Sequence, residues 1–205
     1  MYKPKIYVEK DKSDIQSFIE NNPLAIITGV AKDRRPLASQ VPLIFDGHQQ
    51  NLQGHVMKNT AHYKAFAENP EVLAVFSGPN AYISASWYKH ASAASTWNYM
   101  SVQVHGKLKF LNHTEFEKMM KRFTLKFENN DVDSPTYFEN LPIDYREQHM
   151  KAIAGFEIDI TSLDATFKLS QDKDEESFQN IINELKQKSY KEQWLASEME
   201  KNLKK

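Results

Sequence analysis

The chain has 205 residues, a net charge of -1, 40% hydrophobic and 12% aromatic residues, and no cysteine. That length buries a substantial core in one large or two small domains. The missing cysteine excludes disulfides, thiolate catalysis, zinc–thiolate sites and iron–sulfur clusters. A near-zero charge gives no general attraction to nucleic acid, and no apolar run approaches the roughly 18 residues of a membrane span. The expectation is a cytoplasmic protein, neither secreted nor membrane-embedded.

In chain order, an extended start leads to a short helix with Ser13 and Gln16 as a capping box and Ile15, Phe18 and Ile19 on one face, ended by Asn21-Asn22-Pro23. Leu24 to Val30 and Leu37 to Phe45 read as an antiparallel hairpin around the polar turn at 32–36. Asp46-Gly47 is a turn signal before a third strand, Leu52 to Val56. Asn59 or Thr60 then caps a helix carrying Ala61, Tyr63, Ala65, Phe66 and Ala67. A strand feeding a helix start within two or three residues, with Lys58 beside unpaired N–H groups, suits a phosphate monoester. The plain alternative is an ordinary capped helix with a solvated lysine.

Asn69-Pro70 closes that helix and Glu71 to Gly78 forms the next strand. Gly78-Pro79 reads as a turn, followed by Tyr82, Ser84, Ser86, Trp87 and Tyr88 and a small-residue loop, His90 to Ser95. This stretch reads equally well as a rim over a flat aromatic ligand and as an edge strand whose aromatics cover the barrel mouth. Thr96 to Phe110 is one long strand. Alternation puts Trp97, Tyr99, Ser101, Gln103 and His105 on one face and Asn98, Met100, Val102 and Val104 on the other. Gly106 suggests a bulge.

Thr114 and Glu117 form a second capping-box pattern, ahead of a stripe of Phe116, Met120, Phe123 and Phe127 with Met119 on its flank. That stripe reads as core packing rather than a cofactor box. A helix near Ile143 to Ala152 follows, with Tyr145 and Met150 able to pack, then two strands, Ile153 to Ile160 and Ala165 to Leu169. From Glu175 the chain reads as one or two amphipathic helices docked through Phe178, Ile181, Ile182 and Leu185. Seven or eight strands in this order suit a barrel. Dinucleotide, P-loop, zincin and hydrolase-elbow motifs are missing, the histidines do not stand at metal-ligand spacing, and Asp131 and Asp133 lack EF-hand spacing. Haem would need His55 or His105 as an axial ligand.

The residues together resemble a family. Met1-Tyr2-x-Pro4, Gly54-His55-Val56, Gly78-Pro79-x-Ala81-Tyr82-Ile83-Ser84, Ser86-Trp87-Tyr88, Thr96-Trp97-Asn98-Tyr99, His105-Gly106, Ala152-Ile153-x-Gly155-x-Glu157-Ile158 and Lys168-Leu169-Ser170-Gln171 are similar to the PaiB-type FMN-binding split-barrel proteins. The family is described as negative transcriptional regulators and is related to pyridoxine phosphate oxidase and flavin reductase barrels. The resemblance implies an α+β, mainly β, split barrel over 1–172 with peripheral helices and a helical extension over 173–205. It implies FMN as cofactor and a homodimer with the flavin at the interface. The implied phosphate contacts are His55, Val56, Lys58, Asn59, Thr60 and Tyr63. Ser39, Gln40 and Val41 would meet the flavin edge, and Tyr82, Ser84, Trp97, Asn98 and Tyr99 would complete the site. Ser95 and Asp172 depart from the usual proline and asparagine, which is expected to loosen the loop and to place a carboxylate near the ligand.

Two functional classes stay open on these grounds. One is a regulator or redox sensor, for which DNA contact follows from the resemblance but not from charge or any helix-turn-helix motif. The other is an FMN-dependent oxidoreductase whose hydride chemistry belongs to the cofactor, since no residue stands out as a general acid or base. Catalytic residues are not named by the sequence, and no metal is expected.

Overall fold

The computed structural model describes residues 4–46, 51–90 and 93–202. The first residues of the Met1-Tyr2-x-Pro4 motif, Gly47 of the expected Asp46-Gly47 turn, and Ala91 and Ser92 of the small-residue loop lie outside the described residues. In chain order the elements are β1 (Val8–Glu9), α1 (Lys12–Asn21), β2 (Leu24–Val30), β3 (Pro36–Pro42), β4 (Ile44–Asp46), β5 (Asn51–Met57), α2 (Ala61–Glu68), β6 (Glu71–Ile83) and β7 (Thr96–Phe110). They continue with α3 (His113–Phe127), α4 (Ile143–Ala152), β8 (Ile153–Lys168), α5 (Glu175–Lys186) and α6 (Tyr190–Asn202). The eight strands form one sheet in the order β3-β2-β6-β7-β8-β5-β4, with β1 on β8. This is the mainly β architecture expected of a split barrel.

The expected strand Leu37 to Phe45 is two strands. β3 pairs antiparallel with β2, Ala25 opposite Val41, whereas β4 pairs with β5, Phe45 opposite Leu52. The chain thus passes from one end of the strand order to the other through a single residue, Leu43. Its side chain is buried and its N–H donates to the Pro23 carbonyl at 2.8 Å. A sheet whose first and last strands are consecutive in the chain has to curl, and Gly54 on β5 sits at that seam. A Cβ at Gly54 would meet Leu43 Cδ2 at 2.7 Å, the Pro42 carbonyl at 3.0 Å and the Phe156 ring at 3.1 Å.

Two other glycines also serve close approach rather than turns. β6 runs straight through Gly78-Pro79, because Gly78 leaves room for the Phe18 ring, 2.5 Å from where a Cβ would stand. Pro79 is tolerated because β2 pairs with β6 only as far as Val75, so one edge of β6 at Pro79 has no β2 ladder to lose. β7 is unbroken at Gly106, where a Cβ would come within 2.6 Å of the Asp159 carbonyl on β8. Likewise β8 is one strand rather than the expected two.

Helix starts differ by about two residues from expectation, since a nearby carboxylate or amide outcompetes serine or threonine as acceptor. Asp11 Oδ1, not Ser13, accepts from the Ser13 and Asp14 N–H groups at 2.8 and 3.2 Å. Asn112 and Glu115, not Thr114 and Glu117, form the reciprocal capping box of α3. On α3 Met119 is fully buried and Phe127 largely exposed, while on α4 Met150 is buried and Tyr145 exposed, its ring stacked on His149.

The chain divides into two compact units. The first comprises Met1–Phe18, Ser77–Val102 and Asp164–Lys205, the second Ile19–Phe76 and Gln103–Leu163. In the first, α5 packs on α6 through Phe178, Ile181, Ile182 and Leu185, with Leu195 and Met199 opposite. Its start is capped by Asp174, and the Lys89 N–H donates to Ser177 Oγ at 2.9 Å, tying the segment after β6 to this helix. In the second, Phe116, Met119 and Phe123 of α3 join Ile44, Phe138 and Met150 in one cluster. Beside it a buried polar network fixes β5 to β8. Glu157 accepts from Asn51 at 3.0 Å and pairs with Lys109 at 2.5 Å, and Arg122 of α3 reaches Gln53 and Asp46.

The seam sets a testable limit. Gly54→Ala is expected to destabilise the fold by about 1–3 kcal/mol, the cost of forcing a methyl into a filled core, read as a lowered urea midpoint at unchanged slope. An unchanged midpoint would show that the seam is slack.

Candidate functional site

β5 delivers the chain to the solvent at Met57, and the geometry that follows is fixed from both sides. The Lys58 N–H donates to the Ala152 carbonyl at 3.0 Å, anchoring the backbone, while the Lys58 and Asn59 side chains stay exposed. Thr60 is the cap of α2. Its hydroxyl donates to the Met57 carbonyl at 2.8 Å and accepts from the Tyr63 N–H at 3.2 Å. By helix geometry the Ala61 and His62 N–H groups have no carbonyl four residues back within the helix. They leave the partial positive charge of the helix start facing outward beside the Lys58 ammonium.

The residue that sequence reasoning missed is His62. Its Nδ1 lies 2.9 Å from Ser39 Oγ and its Nε2 lies 3.1 Å from the Ala38 carbonyl. This ring fastens the first turn of α2 to β3 and brings Ser39 to the same helix start. Ser39 and His62 are 23 positions apart, and only the register of β3 against α2 reveals the pairing. Tyr63, on the adjoining face of the turn, packs its ring on Phe110 with centroids 4.7 Å apart.

Other expected site residues are placed differently. His55 points to α3, its ring edge-on to Phe123 at 5.5 Å, with Nδ1 buried and without a partner. Burial lowers its pKa from the ordinary 6.5, which disfavours the cation a phosphate would need. Val41 and Val56 are buried apolar residues, and Gln40 is exposed on the β3 face opposite Ser39. The strand motif Gly54-His55-Val56 therefore builds the barrel seam, the α3 contact and the core, and the outward-facing groups begin at Lys58.

The remaining expected residues lie in the other compact unit. Tyr82 and Trp97 are 51% and 55% exposed and meet edge-to-face with centroids 6.0 Å apart, an open aromatic surface. Tyr99 is half-buried on the same face of β7 as Trp97. Ser84 caps the short turn Ala85–Trp87 and its hydroxyl lies 2.8 Å from that of Ser86. Asn98 points the opposite way and is fully buried. Its amide donates to Ser170 Oγ at 2.8 Å and to Met199 at 3.7 Å.

Ser170 itself adopts φ 64, a left-handed residue held by Asn98 and by the Gln171 side chain, which accepts from the Leu169 N–H at 2.7 Å. Lys168 donates to Thr96 and its pKa is lowered by burial. The Lys168-to-Gln171 motif is thus a structural turn into α5.

Both departures from the family pattern have local partners. Ser95 accepts from the Ala85 N–H at 3.0 Å and so tethers the loop end rather than loosening it. Burial raises the Asp172 pKa, but hydrogen bonds from Lys173 and Tyr7 outweigh it, and the carboxyl stays below its usual range.

The comparisons with known proteins accord with this geometry. Residues 1–162 match the family described as "Putative FMN-binding domain". The chain belongs to the FMN-binding split-barrel family of PaiB type. It is 30% identical over 208 residues to "Protease synthase and sporulation protein PAI 2" of Bacillus subtilis, covering 100% of this chain and 99% of that protein. Among solved structures, the flavocytochrome Anf3 from Azotobacter vinelandii superposes with a TM-score of 0.63 at 15% identity, over 84% of this chain and 75% of that one. The FAD and heme binding protein from Mycobacterium smegmatis gives 0.62 at 15% identity, over 79% and 73%. At such identities these likenesses speak for the fold alone.

The family's cofactor is FMN, and the residues present suit it. Lys58 precedes the helix start capped by Thr60, and Ser39 is tied to that helix through His62; these are groups suited to a phosphate monoester. In the other compact unit, Tyr82 and Trp97 expose aromatic surface where they meet edge-to-face. Among the described residues no group of three His, Asp or Glu side chains could hold a metal ion, and no helix is long and apolar enough to cross a membrane.

Burial of His55 gives a second expected outcome. Its folded pKa is depressed, so its contribution to stability is present above the unfolded value of 6.5 and lost as pH falls below it toward the folded value. Unfolding midpoints should therefore drop as pH falls below about 6.5, and His55→Gln should flatten that drop. An equal slope in the variant would show that other groups cause it.

Proposed function

We propose that this protein is a cytoplasmic, homodimeric FMN-binding regulator or redox sensor, in which flavin occupancy sets the state of the molecule. Full-length similarity to a relative named for protease synthesis and sporulation carries the regulatory reading. In this proposal the phosphate is held by Lys58, by the helix start at Asn59 and Thr60, and by Ser39. Tyr82, Ser84, Trp97 and Tyr99 are proposed as contacts for a flavin ring at the dimer interface. When bound, the flavin supplies the redox chemistry, and the protein's own groups hold and orient it. Direct attraction to DNA is not favoured by a net charge of -1.

Lys58 tests the phosphate end. Lys58→Ala should weaken FMN by about 1.5–3 kcal/mol, the worth of a hydrogen bond to a charged group, and leave riboflavin nearly unchanged, because only FMN has the phosphate to lose. Equal losses for the two ligands in fluorescence titrations would place the phosphate elsewhere.

Dimerisation is supported by apolar surface that a lone chain leaves in water. On β2, Leu24, Ile26 and Val30 are 57%, 38% and 42% exposed along one face, and the Tyr82–Trp97 pair is open as well. A two-fold pairing buries each such patch twice. If the flavin contacts both chains, FMN tightens the dimer by the same factor as the dimer tightens FMN. Sedimentation at several protein concentrations, with and without FMN, should show that coupling. A stable monomer binding one FMN would contradict it.

A further inference from the structure

The His62 ring sits between two groups with different hydrogen-bonding capacities. The Ala38 carbonyl only accepts, so Nε2, 3.1 Å away, carries a proton. Nδ1 faces the Ser39 hydroxyl at 2.9 Å, and a hydroxyl can either donate or accept. With a neutral ring, Nδ1 accepts, the Ser39 hydrogen is committed to it, and Ser39 turns only lone pairs outward. With an imidazolium, Nδ1–H donates to Ser39 and the hydroxyl hydrogen is released to a third partner. The proton on His62 therefore decides whether Ser39 can donate to an anion.

We infer that His62 takes up a proton when the phosphate monoester of FMN binds beside Ser39, which makes binding of the dianion proton-linked. This inference rests on the phosphate contacts proposed above. One proton and one dianion enter together, no bond of the ligand breaks, and the proton comes from solvent. The surroundings leave few competing groups. α2 packs on β2, β3 and β5. β2 and β3 carry no titratable side chain, and β5 carries only His55, whose ring lies against Phe123. On its own helix His62 is flanked by Tyr63 and Lys64, with Glu68 farther along, Lys58 precedes the cap, and its other ring neighbour is Phe66 at 6.2 Å. The anion faces lysines and the imidazolium, with no carboxylate on β2, β3 or β5 to take the proton instead.

Calorimetric titration of FMN and of riboflavin at about pH 7.5, in buffers of different ionisation enthalpy, counts the protons exchanged. At that pH a phosphate monoester is already mostly dianionic, so the ligand itself brings little of the proton count. Wild-type protein should take up most of a proton with FMN and none with riboflavin, and its FMN affinity should fall by up to about tenfold per pH unit above neutrality. His62→Gln, which has no titratable ring, should bind FMN without proton uptake and with affinity nearly independent of pH. Ser39→Ala, which removes the relay without touching the ring, should also abolish the uptake. An equal proton count in wild type and His62→Gln, or no uptake by wild type, overturns the inference while leaving the phosphate contacts standing. A chain that binds no FMN overturns both.

Discussion

Everything in the second compact unit depends on the passage from β3 to β4 across Leu43. One buried residue separates a strand paired with β2 from a strand paired with β5, so the sheet has to turn within a single peptide. Backbone can turn that tightly only if the opposite strand comes close, and Gly54 provides the room with the Pro42 carbonyl 3.0 Å from where its Cβ would stand. Once β5 is pinned there, its direction fixes where Met57 and Lys58 leave the sheet. The Lys58 N–H on Ala152 and the Thr60 cap then set the start of α2. The Ser39–His62 contact locks that start back onto β3, so three elements meet at one polar corner.

On the other face of β5 a different logic holds. Asn51, Gln53 and His55 turn toward α3, where the Glu157 network and the Phe123 ring receive them. Removing one partner from such a network would leave a buried polar group unmet, at a cost of about 1–3 kcal/mol. These residues secure the position of β5, while the ligand-facing work falls to the loop that follows it. That division explains how one short strand can hold both the polar interior of the fold and the approach to a phosphate.

Much of the fold was legible in the sequence because alternation and caps act locally. The full extent of β7, the common face of Asn98, Met100, Val102 and Val104, and helical structure after Asp174 follow from spacing, while spacing leaves open the break into two helices, α5 and α6. Glycine was misleading for a physical reason. Gly78 and Gly106 look like punctuation, yet none of the glycines among the described residues has a positive φ, and the two serve contacts with Phe18 and β8 that depend on residues far away in the chain. The site was legible only in outline. The strand-to-helix passage pointed to Lys58 and Thr60, and the family resemblance named Ser39 for the flavin edge, whereas the structure ties Ser39 to His62 at the start of α2. His55 and Asn98 drew attention as polar residues in motifs, but their partners, Phe123 on α3 and Ser170 with Met199, lie 68 residues or more away in sequence. His62 carried no local signal, since its meaning comes from a hydroxyl on another strand.

The central claim is that this fold holds FMN, and the visible absorption spectrum of the purified protein, followed by extraction and identification of whatever it carries, tests it most directly. The account predicts flavin bands, either as purified or after incubation with FMN and desalting, and release of FMN at one per chain on denaturation. A Soret band with no flavin would point instead to haem ligation, for which the sequence offers His55 and His105, and among the described residues His55 Nδ1 is a buried nitrogen without a hydrogen-bond partner. A spectrum that stays colourless after incubation with FMN would contradict the account outright.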